Sequence, residues 1–343
     1  MRTTVDTPLG TVGPREIALV AVLGFVLVLP YLIGNFLLFL AASALALGLY
    51  GASFDLLYGY TGLLSFGHSV FFGTGAYAAT FAINDHGQGV FVGLVAGFLV
   101  TALVAVGLGV VAVRVKSHGF VIVTILIALI AKLLAETFTD ITGGTDGLVV
   151  LVPPVSLPGL GEFSLLDPGV RYYFTLAIVL VSLSLMYRLV NSSVGLVFRM
   201  IRENEQRAQM LGYNVTAYKM IAFIASGAFA GVAGALAVYV NGFVDASRFS
   251  LIVAGDAIIF TMLGGRATLI GGVIGAVLIE GTSNYVSQLT DAYPLIVGLL
   301  LLVTVVVEPD GLIGLWKRLT DRLTSYVAEK TAEPPPSEVT TDE

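Results

Sequence analysis

The sequence predicts an all-α, polytopic membrane protein of about ten transmembrane helices, with both termini cytoplasmic and some helices broken or re-entrant. Three observations carry that expectation. The chain is 57% hydrophobic and only 12% charged over 343 residues, with a mean hydropathy of +0.93. A water-soluble domain of that size could not hide so much apolar surface. The apolar residues gather into runs close to the roughly 20 residues a helix needs to cross the hydrocarbon core. Lysine and arginine fall in alternate connections between those runs.

The runs lie at 17–34, 36–55, 64–83, 89–113, 119–138, 171–190, 219–240, 250–264, 269–286 and 293–308. Arg2 and Arg15 precede the first and Arg114 and Lys116 follow the fourth. Arg188, Arg199, Arg202, Arg207 and Lys219 lie between or at the edges of the sixth and seventh. Arg266 separates the eighth and ninth, and Lys317, Arg318, Arg322 and Lys330 follow the tenth. The connections 84–88 and 287–292 have no basic residue, and the long loop 139–170 has none before Arg171. This alternation puts both ends in the cytoplasm, with Arg248 the single exception. The first run has no small-residue cleavage site after it and reads as a retained span.

The expected organisation is therefore a cytoplasmic segment 1–16, a transmembrane domain 17–308 with a cytoplasmic segment at 191–218, and a cytoplasmic tail 309–343. The tail, with prolines 334–336 and acidic ends, is expected to be disordered from about residue 325. Ten spans in two sets of five would make any internal repeat inverted. The best internal similarity pairs GLLSFG (62–67) with GRATLIG (265–271), needs a gap and has the wrong relative orientation, so no repeat is established.

Composition also excludes some chemistry. No cysteine is present, and the three histidines (His68, His86, His118) are far apart, so a thiolate or histidine metal centre is not expected. The net charge of −6, much of it in the tail, argues against nucleic acid.

The stretch GYTGLLSFGHSVFFGTGAYAAT (59–80) has five glycines, several hydroxyl residues and a histidine inside an apolar run. Small residues let helices approach closely, which would assign Gly67, Gly73 and Gly75 to packing and leave Ser65, Ser69 and Thr74 to bond backbone carbonyls. The other reading is a broken helix whose freed backbone lines a polar path. His68 reads as a hydrogen-bonding partner rather than a ligand or proton relay. A second short segment, LIVAGDAIIFTML (251–263), ends at Gly264 and Gly265, and interrupted segments of this kind point to a transporter's path. Asp55, Asp256 and Glu280 are the ionisable candidates inside spans. Asp55 also suits an interfacial position near the end of the second span. Lys132 and Glu136, one helical turn apart, are expected to pair with each other.

The inner connection 191–218 reads as a surface helix with an apolar cluster (Val197, Met200, Ile201), Met210 and Leu211 further on, and mixed charges at Arg199, Arg202, Glu203, Glu205 and Arg207. Gly212 is placed to stop it, and Asn214 and Thr216 to cap the next helix. Mixed charge around a small apolar patch suits docking to a protein more than lying on lipid.

The run RENEQRAQMLGYNVTAYKMIAFIASGAFAGVAGALAVYV (202–240) strongly resembles the permease subunits of ABC importers for branched-chain amino acids, specifically the M-type (LivM-type) partner of the H/M pair. The resemblance continues through YGYTGLLSFGHSVFFGTGAYAA (58–79), TGGTDGL (142–148), MLGGRATLIGGVIGAVLIEG (262–281) and EPDGLIGLWKRL (308–319). It implies a multi-pass cell-membrane protein that is a transport subunit, not an enzyme. The implied partners are a second, H-type permease subunit, two cytoplasmic ATP-binding subunits and an extracytoplasmic solute-binding protein. It also implies that Arg199, Arg202, Glu203, Glu205, Arg207, Leu211 and Gly212 meet the ATPase. The chain has no G-x-x-x-x-G-K-[ST] sequence, so no cofactor is expected on it and ATP would be used by the partners.

In the outer loop, Thr142, Gly143, Gly144, Thr145 and Asp146 read either as a stabilised turn or as part of a pore entrance or binding-protein dock, with Asp146 able to accept local backbone bonds. The translocation path is placed at Thr61, Ser65, His68, Phe71, Phe72, Asp256, Phe260 and Glu280. A zwitterion with an apolar side chain needs both aromatic walls and polar points such as helix termini. Three alternatives stand beside this reading. The same architecture could import urea, amides or other amino acids, or the chain could be a stand-alone secondary transporter. An intramembrane protease using Asp55 and Asp256 is the third, but VAGDAI lacks the Gly-x-Gly that would precede its aspartate.

Overall fold

A computed structural model describes residues 26–115, 117–157 and 161–290, together with 5–7, 10–12, 24, 292, 295–296, 298–299, 302, 311–315 and 318. The helices are α1 (Asn35–Thr61), α2 (His68–Asn84), α3 (Val90–Ala112), α4 (Ser117–Thr137), the single turn α5 (Thr139–Thr142), α6 (Pro168–Val190), α7 (Ser193–Glu203), α8 (Glu205–Met210), α9 (Val215–Asn241), α10 (Leu251–Gly264) and α11 (Ile270–Ser287). A 3-10 turn, Ala246–Phe249, precedes α10.

Five of these, α1, α3, α4, α6 and α9, are long and apolar enough to cross a membrane. Among the described residues the other expected spans are shorter or less apolar helices, or lie partly outside those residues. α2 has 17 residues and α10 only 14, and at 1.5 Å per residue α10 is about 21 Å long, less than a hydrocarbon core. The run at 64–83 becomes helical only at His68, because Gly62 ends α1 at a φ of 78° and residues 62–65 are non-helical. The first expected span is described only from residue 24 on, as helix at 26–32, and the span 293–308 and the tail lie mostly outside the described residues.

The all-α expectation holds, with short strands in the connections among the described residues. Three two-stranded antiparallel ribbons form, β1–β2 (Val5–Thr7, Gly10–Val12), β4–β5 (Val155–Leu157, Gly161–Phe163), and β3–β6 (Leu148–Val149, Phe243–Val244). Each gives backbone groups outside the helices a partner, as a connection at a membrane border requires.

Glycine and alanine decide where the helices touch. α9 is the centre of the bundle, with 83% of its most apolar window buried against 22% for α4. It packs on α1, α2 and α3. A methyl at Gly75 of α2 would overlap the Gly231 carbonyl, one at Gly234 would overlap the Phe72 carbonyl, and one at Gly231 would overlap Thr101 and stand 2.5 Å from the Gly97 carbonyl. Backbones meet directly at such crossings, which is how helices associate where lipid supplies no hydrophobic drive. Packing therefore accounts for Gly75, and for Gly67 and Gly73, which lie against Thr124 and the Phe249 ring. Lys132 and Glu136 pair within α4 at 3.5 Å, as their spacing predicts.

Candidate translocation surface and coupling segment

The first turn of α2 is built into the protein interior. His68 is wholly buried and its Nε2 lies 2.9 Å from Ser53 Oγ on α1. Ser53 donates its own hydrogen to the Tyr50 carbonyl at 2.6 Å, so the histidine is the donor in the pair. Tyr50 stacks on the imidazole at 5.2 Å, and Phe54 and Phe71 meet it edge-on. Ser69 donates to the Phe249 carbonyl at 3.1 Å, joining this turn to the start of α10. Thr61 donates to its own helix at Leu57, while Ser65 Oγ is buried with no partner among the described residues. Of the three hydroxyls expected to bond carbonyls, only Ser69 is recorded doing so among the described residues. Phe71, Phe72 and Phe260 are fully packed core side chains. Thr61, Ser65, His68 and these three rings thus form the inner wall of the chain, not its surface.

α10 and α11 form a hairpin on α1. A methyl at Gly264 would overlap Gly271, and one at Gly275 would overlap the Phe260 carbonyl. One further turn along each helix brings Asp256 level with Ile279 and Glu280, within electrostatic reach of each other. Both carboxylates are half-buried, and among the described residues neither has a hydrogen-bond or ion-pair partner. Beside them the exposed side of the hairpin is apolar, with Ile252, Val277, Leu278 and Tyr285 outward. Of the predicted path residues, these two alone border an open face.

Asp55 does not sit at an interface, as its place in the second span suggests. It is wholly buried and its carboxylate accepts from the N–H groups of Ala267 at 2.6 Å, Thr268 at 2.9 Å and Leu269 at 2.8 Å. These groups belong to the turn between α10 and α11, where Ala267 and Leu269 hold φ of 58° and 59°. Left-handed backbone costs a non-glycine residue on the order of 1–3 kcal/mol, and three charge-assisted bonds at the start of α11 offset it. With both oxygens so occupied, Asp55 is not available to a catalytic pair with Asp256.

The inner connection is two helices, not one. Asn204 adopts an extended φ of −160°, ends α7 and caps α8 by accepting from Arg207 N at 2.9 Å. Val197, Ile201, Ala208 and Val215 close a small core beneath the segment. Met210 and Leu211 do not join it and point outward, 81% and 64% exposed. Two of the predicted docking arginines are exposed and also bond back to the bundle. Arg202 Nη1 donates to the Gly59 carbonyl at 2.5 Å, and Arg199 lies over the Tyr60 ring at 5.6 Å and donates to the Val190 carbonyl at 3.3 Å. Glu205 holds the buried Lys219 at 2.6 Å. Glu203, Arg207, Leu211 and Gly212 are exposed as well. Gly212 stops the segment at a φ of 87°, and Asn214 caps α9 through Ala217 N at 3.2 Å.

The profile of the family described as "Branched-chain amino acid transport system / permease component" matches residues 36–306, which spans α1 to beyond α11. The chain belongs to this family of branched-chain amino acid transport permeases. It is similar to the high-affinity branched-chain amino acid transport system permease protein LivM of Salmonella typhimurium, 28% identical over 327 residues that cover 89% of this chain and 76% of that protein. The LivM of Escherichia coli is 27% identical over the same shares. A probable LivH of Methanocaldococcus jannaschii is 26% identical over 196 residues, 54% of this chain and 59% of that one. As a permease of this family the chain is a multi-pass membrane component of a transport system, not an enzyme.

In this permease the TGGTDGL motif is a stitched turn. Gly143, Gly144 and Gly147 hold φ of 70°, 60° and 70°. Thr142 donates to carbonyls of α4 and its neighbour and accepts from Gly144 N at 3.1 Å, and Tyr77 of α2 donates to the Thr142 carbonyl at 3.0 Å. The Gly144 carbonyl accepts from Ala246 N at 3.2 Å, beside the β3–β6 ribbon. Thr145 and Asp146 are exposed, and no backbone bond to the Asp146 side chain is recorded among the described residues. A mainly apolar cavity of about 380 Å³ opens beside this turn, lined by Thr74, Tyr77, Phe138, Thr142 and Phe249 among others. Sequence reasoning missed Ser53, Gly59 and the role of Asp55, because their partners lie far along the chain and no local spacing announces them. Arg248, the exception to the charge alternation, pairs with Asp245 at 3.7 Å.

Proposed function

We propose that this chain is the M-type permease subunit of an ABC importer, forming with a second, H-type permease subunit the path for branched-chain amino acids. Two cytoplasmic ATP-binding subunits drive it, and an extracytoplasmic solute-binding protein delivers the ligand. In this reading the chain crosses the cell membrane about ten times, the first and last runs and the short α2 and α10 included. Residues 1–16, 191–218 and 309–343 are then cytoplasmic. The single observation that carries the proposal is the form of the inner connection. It is clamped to the bundle by Arg199, Arg202 and the Glu205–Lys219 pair, yet presents Met210 and Leu211 outward. Apolar side chains held rigidly in water suit a protein partner. The path lies along the α10–α11 face, where Asp256 and Glu280, without a partner among the described residues, border apolar side chains and where the H-type subunit packs.

The test is uptake by the reconstituted complex with labelled leucine, isoleucine and valine against urea and short amides. Saturable, ATP-dependent entry of the three amino acids, unaffected by excess urea, is expected. Uptake of urea or amides in preference would move the chain to a different substrate class within the same architecture.

A further inference from the structure

One turn of α1 is held from two sides. Asp55 and Gly59 are four residues apart and share a helix face. On that turn the coupling segment is attached through Arg202 to the Gly59 carbonyl, and the α10–α11 turn through Asp55 to Ala267, Thr268 and Leu269. The space admits nothing else: a methyl at Gly59 would overlap Asp55 Oδ1 and stand 2.6 Å from Ala267 N. Beyond the turn, α10 leads back two turns to Asp256 and α11 leads on to Glu280. The rest of the hairpin's contact with α1 is one hydrogen bond, from Thr261 Oγ1 of α10 to the Gly51 carbonyl at 2.9 Å, and packing at small residues, with Gly48 facing Val273 and Gly51 facing Gly272. Packing holds helices side by side, and the neutral Thr261 bond adds one point of register, but the three charge-assisted bonds to one carboxylate are the strongest directional hold on the hairpin.

We infer that Asp55 is a positioning residue for transport, fixing the α10–α11 hairpin to the turn of α1 on which the coupling segment is docked. A displacement of that segment then moves Asp256 and Glu280 with it. The inference rests on the function proposed above, in which an ATPase moves residues 191–218.

The experiment uses the importer reconstituted with its permease, ATPase and solute-binding partners, carrying Asp55→Asn or Asp55→Ala in this chain. Three quantities are read: yield of assembled complex, ATP hydrolysed, and leucine transported per ATP. The chain has no cysteine of its own, so spin labels at Val95→Cys and Tyr285→Cys, both exposed, report movement of α11 against α3. The expected result is a fall of about tenfold in leucine per ATP in Asp55→Ala, a smaller fall in Asp55→Asn, and ATP hydrolysis kept. The ATP-dependent distance change seen in wild type should be lost in Asp55→Asn. If Asp55→Ala fails to assemble, the labelled Asp55→Asn complex decides the matter. An unchanged ratio and distance change, or uptake, hydrolysis and yield falling together, overturns the inference. A wild-type complex that moves its labels with ATP but imports no leucine would overturn the substrate reading and leave this one standing.

Discussion

Arg202 donates to the Gly59 carbonyl at 2.5 Å, joining the segment that ends α7 to the last turn of α1, 143 residues earlier. The sequence places Arg202 in a docking patch, and the structure shows it exposed there and bonded to the bundle as well. In the proposed function this bond carries a partner's movement into α1, and the exposed Arg202 is still open to that partner. Arg202→Glu removes a charge-assisted bond of roughly 1.5–3 kcal/mol and sets two acceptors against each other. Membrane insertion should be normal and leucine uptake per ATP should fall by about tenfold or more, as read by parallel uptake and hydrolysis assays.

Met210 and Leu211 should behave in the opposite way. Both project outward, so Met210→Asp or Leu211→Asp should change stability by no more than about 0.5 kcal/mol. Recovery of the ATPase subunit on co-purification should nevertheless drop sharply. Gly212→Trp adds a different fault, because a side chain there meets open space but must hold a φ of 87°. It should loosen the end of the segment and reduce coupling without blocking insertion.

The Glu205–Lys219 pair is asymmetric. Lys219 is 5% exposed while Glu205 reaches solvent, so Glu205→Ala strands a buried ammonium and Lys219→Met does not. Loss of the partner of a buried charge costs about 3–5 kcal/mol in fully buried pairs and less here, where one partner is wet. Glu205→Ala should therefore lower the melting temperature of the detergent-solubilised complex more than Lys219→Met, a ranking that thermal unfolding reads directly.

Asp256 and Glu280 offer stability nothing visible among the described residues. Unpaired carboxylates of this kind are costly within a membrane and mark function. Asp256→Asn and Glu280→Gln should leave the melting temperature equal or higher while lowering leucine uptake. Wild-type uptake in both would remove the α10–α11 face from the path.

Gly231→Val tests the centre of the bundle. Overpacking costs about 1–3 kcal/mol where side chains can shift. Here a neighbour is the Gly97 backbone, so the cost should exceed that range and be read as a loss of folded, detergent-extractable protein.

Legibility in the sequence followed the range of the forces involved. Apolar runs gave α3, α4, α6 and α9 to within about four residues, and α1 except for its last six, 56–61, because burial in lipid acts on every residue of a span. Gly62 was harder: its left-handed φ ends α1, and nothing in the neighbouring apolar letters says that His68 is where helix resumes. The break at Asn204 was hidden for a similar reason, since one capping side chain divides a pattern whose periodicity reads as continuous. Gly212 and Asn214 were readable as stop and cap because that chemistry is local. Asp55 was visible as an ionisable residue and opaque as a clamp, since its three donors lie more than 200 residues later. The direction of Met210 and Leu211, away from Val197 and Ile201, depends on the same break at Asn204.

The central claim is that this chain conducts solute but is driven from the cytoplasm by a partner. Counting labelled leucine that enters proteoliposomes, with ATP enclosed or withheld and with the ATPase subunits present or left out, tests it most directly. Accumulation only when ATP, the ATPase subunits and loaded solute-binding protein are all present is the predicted result. Accumulation by the permease chain alone, driven by an ion gradient and indifferent to ATP, would contradict it.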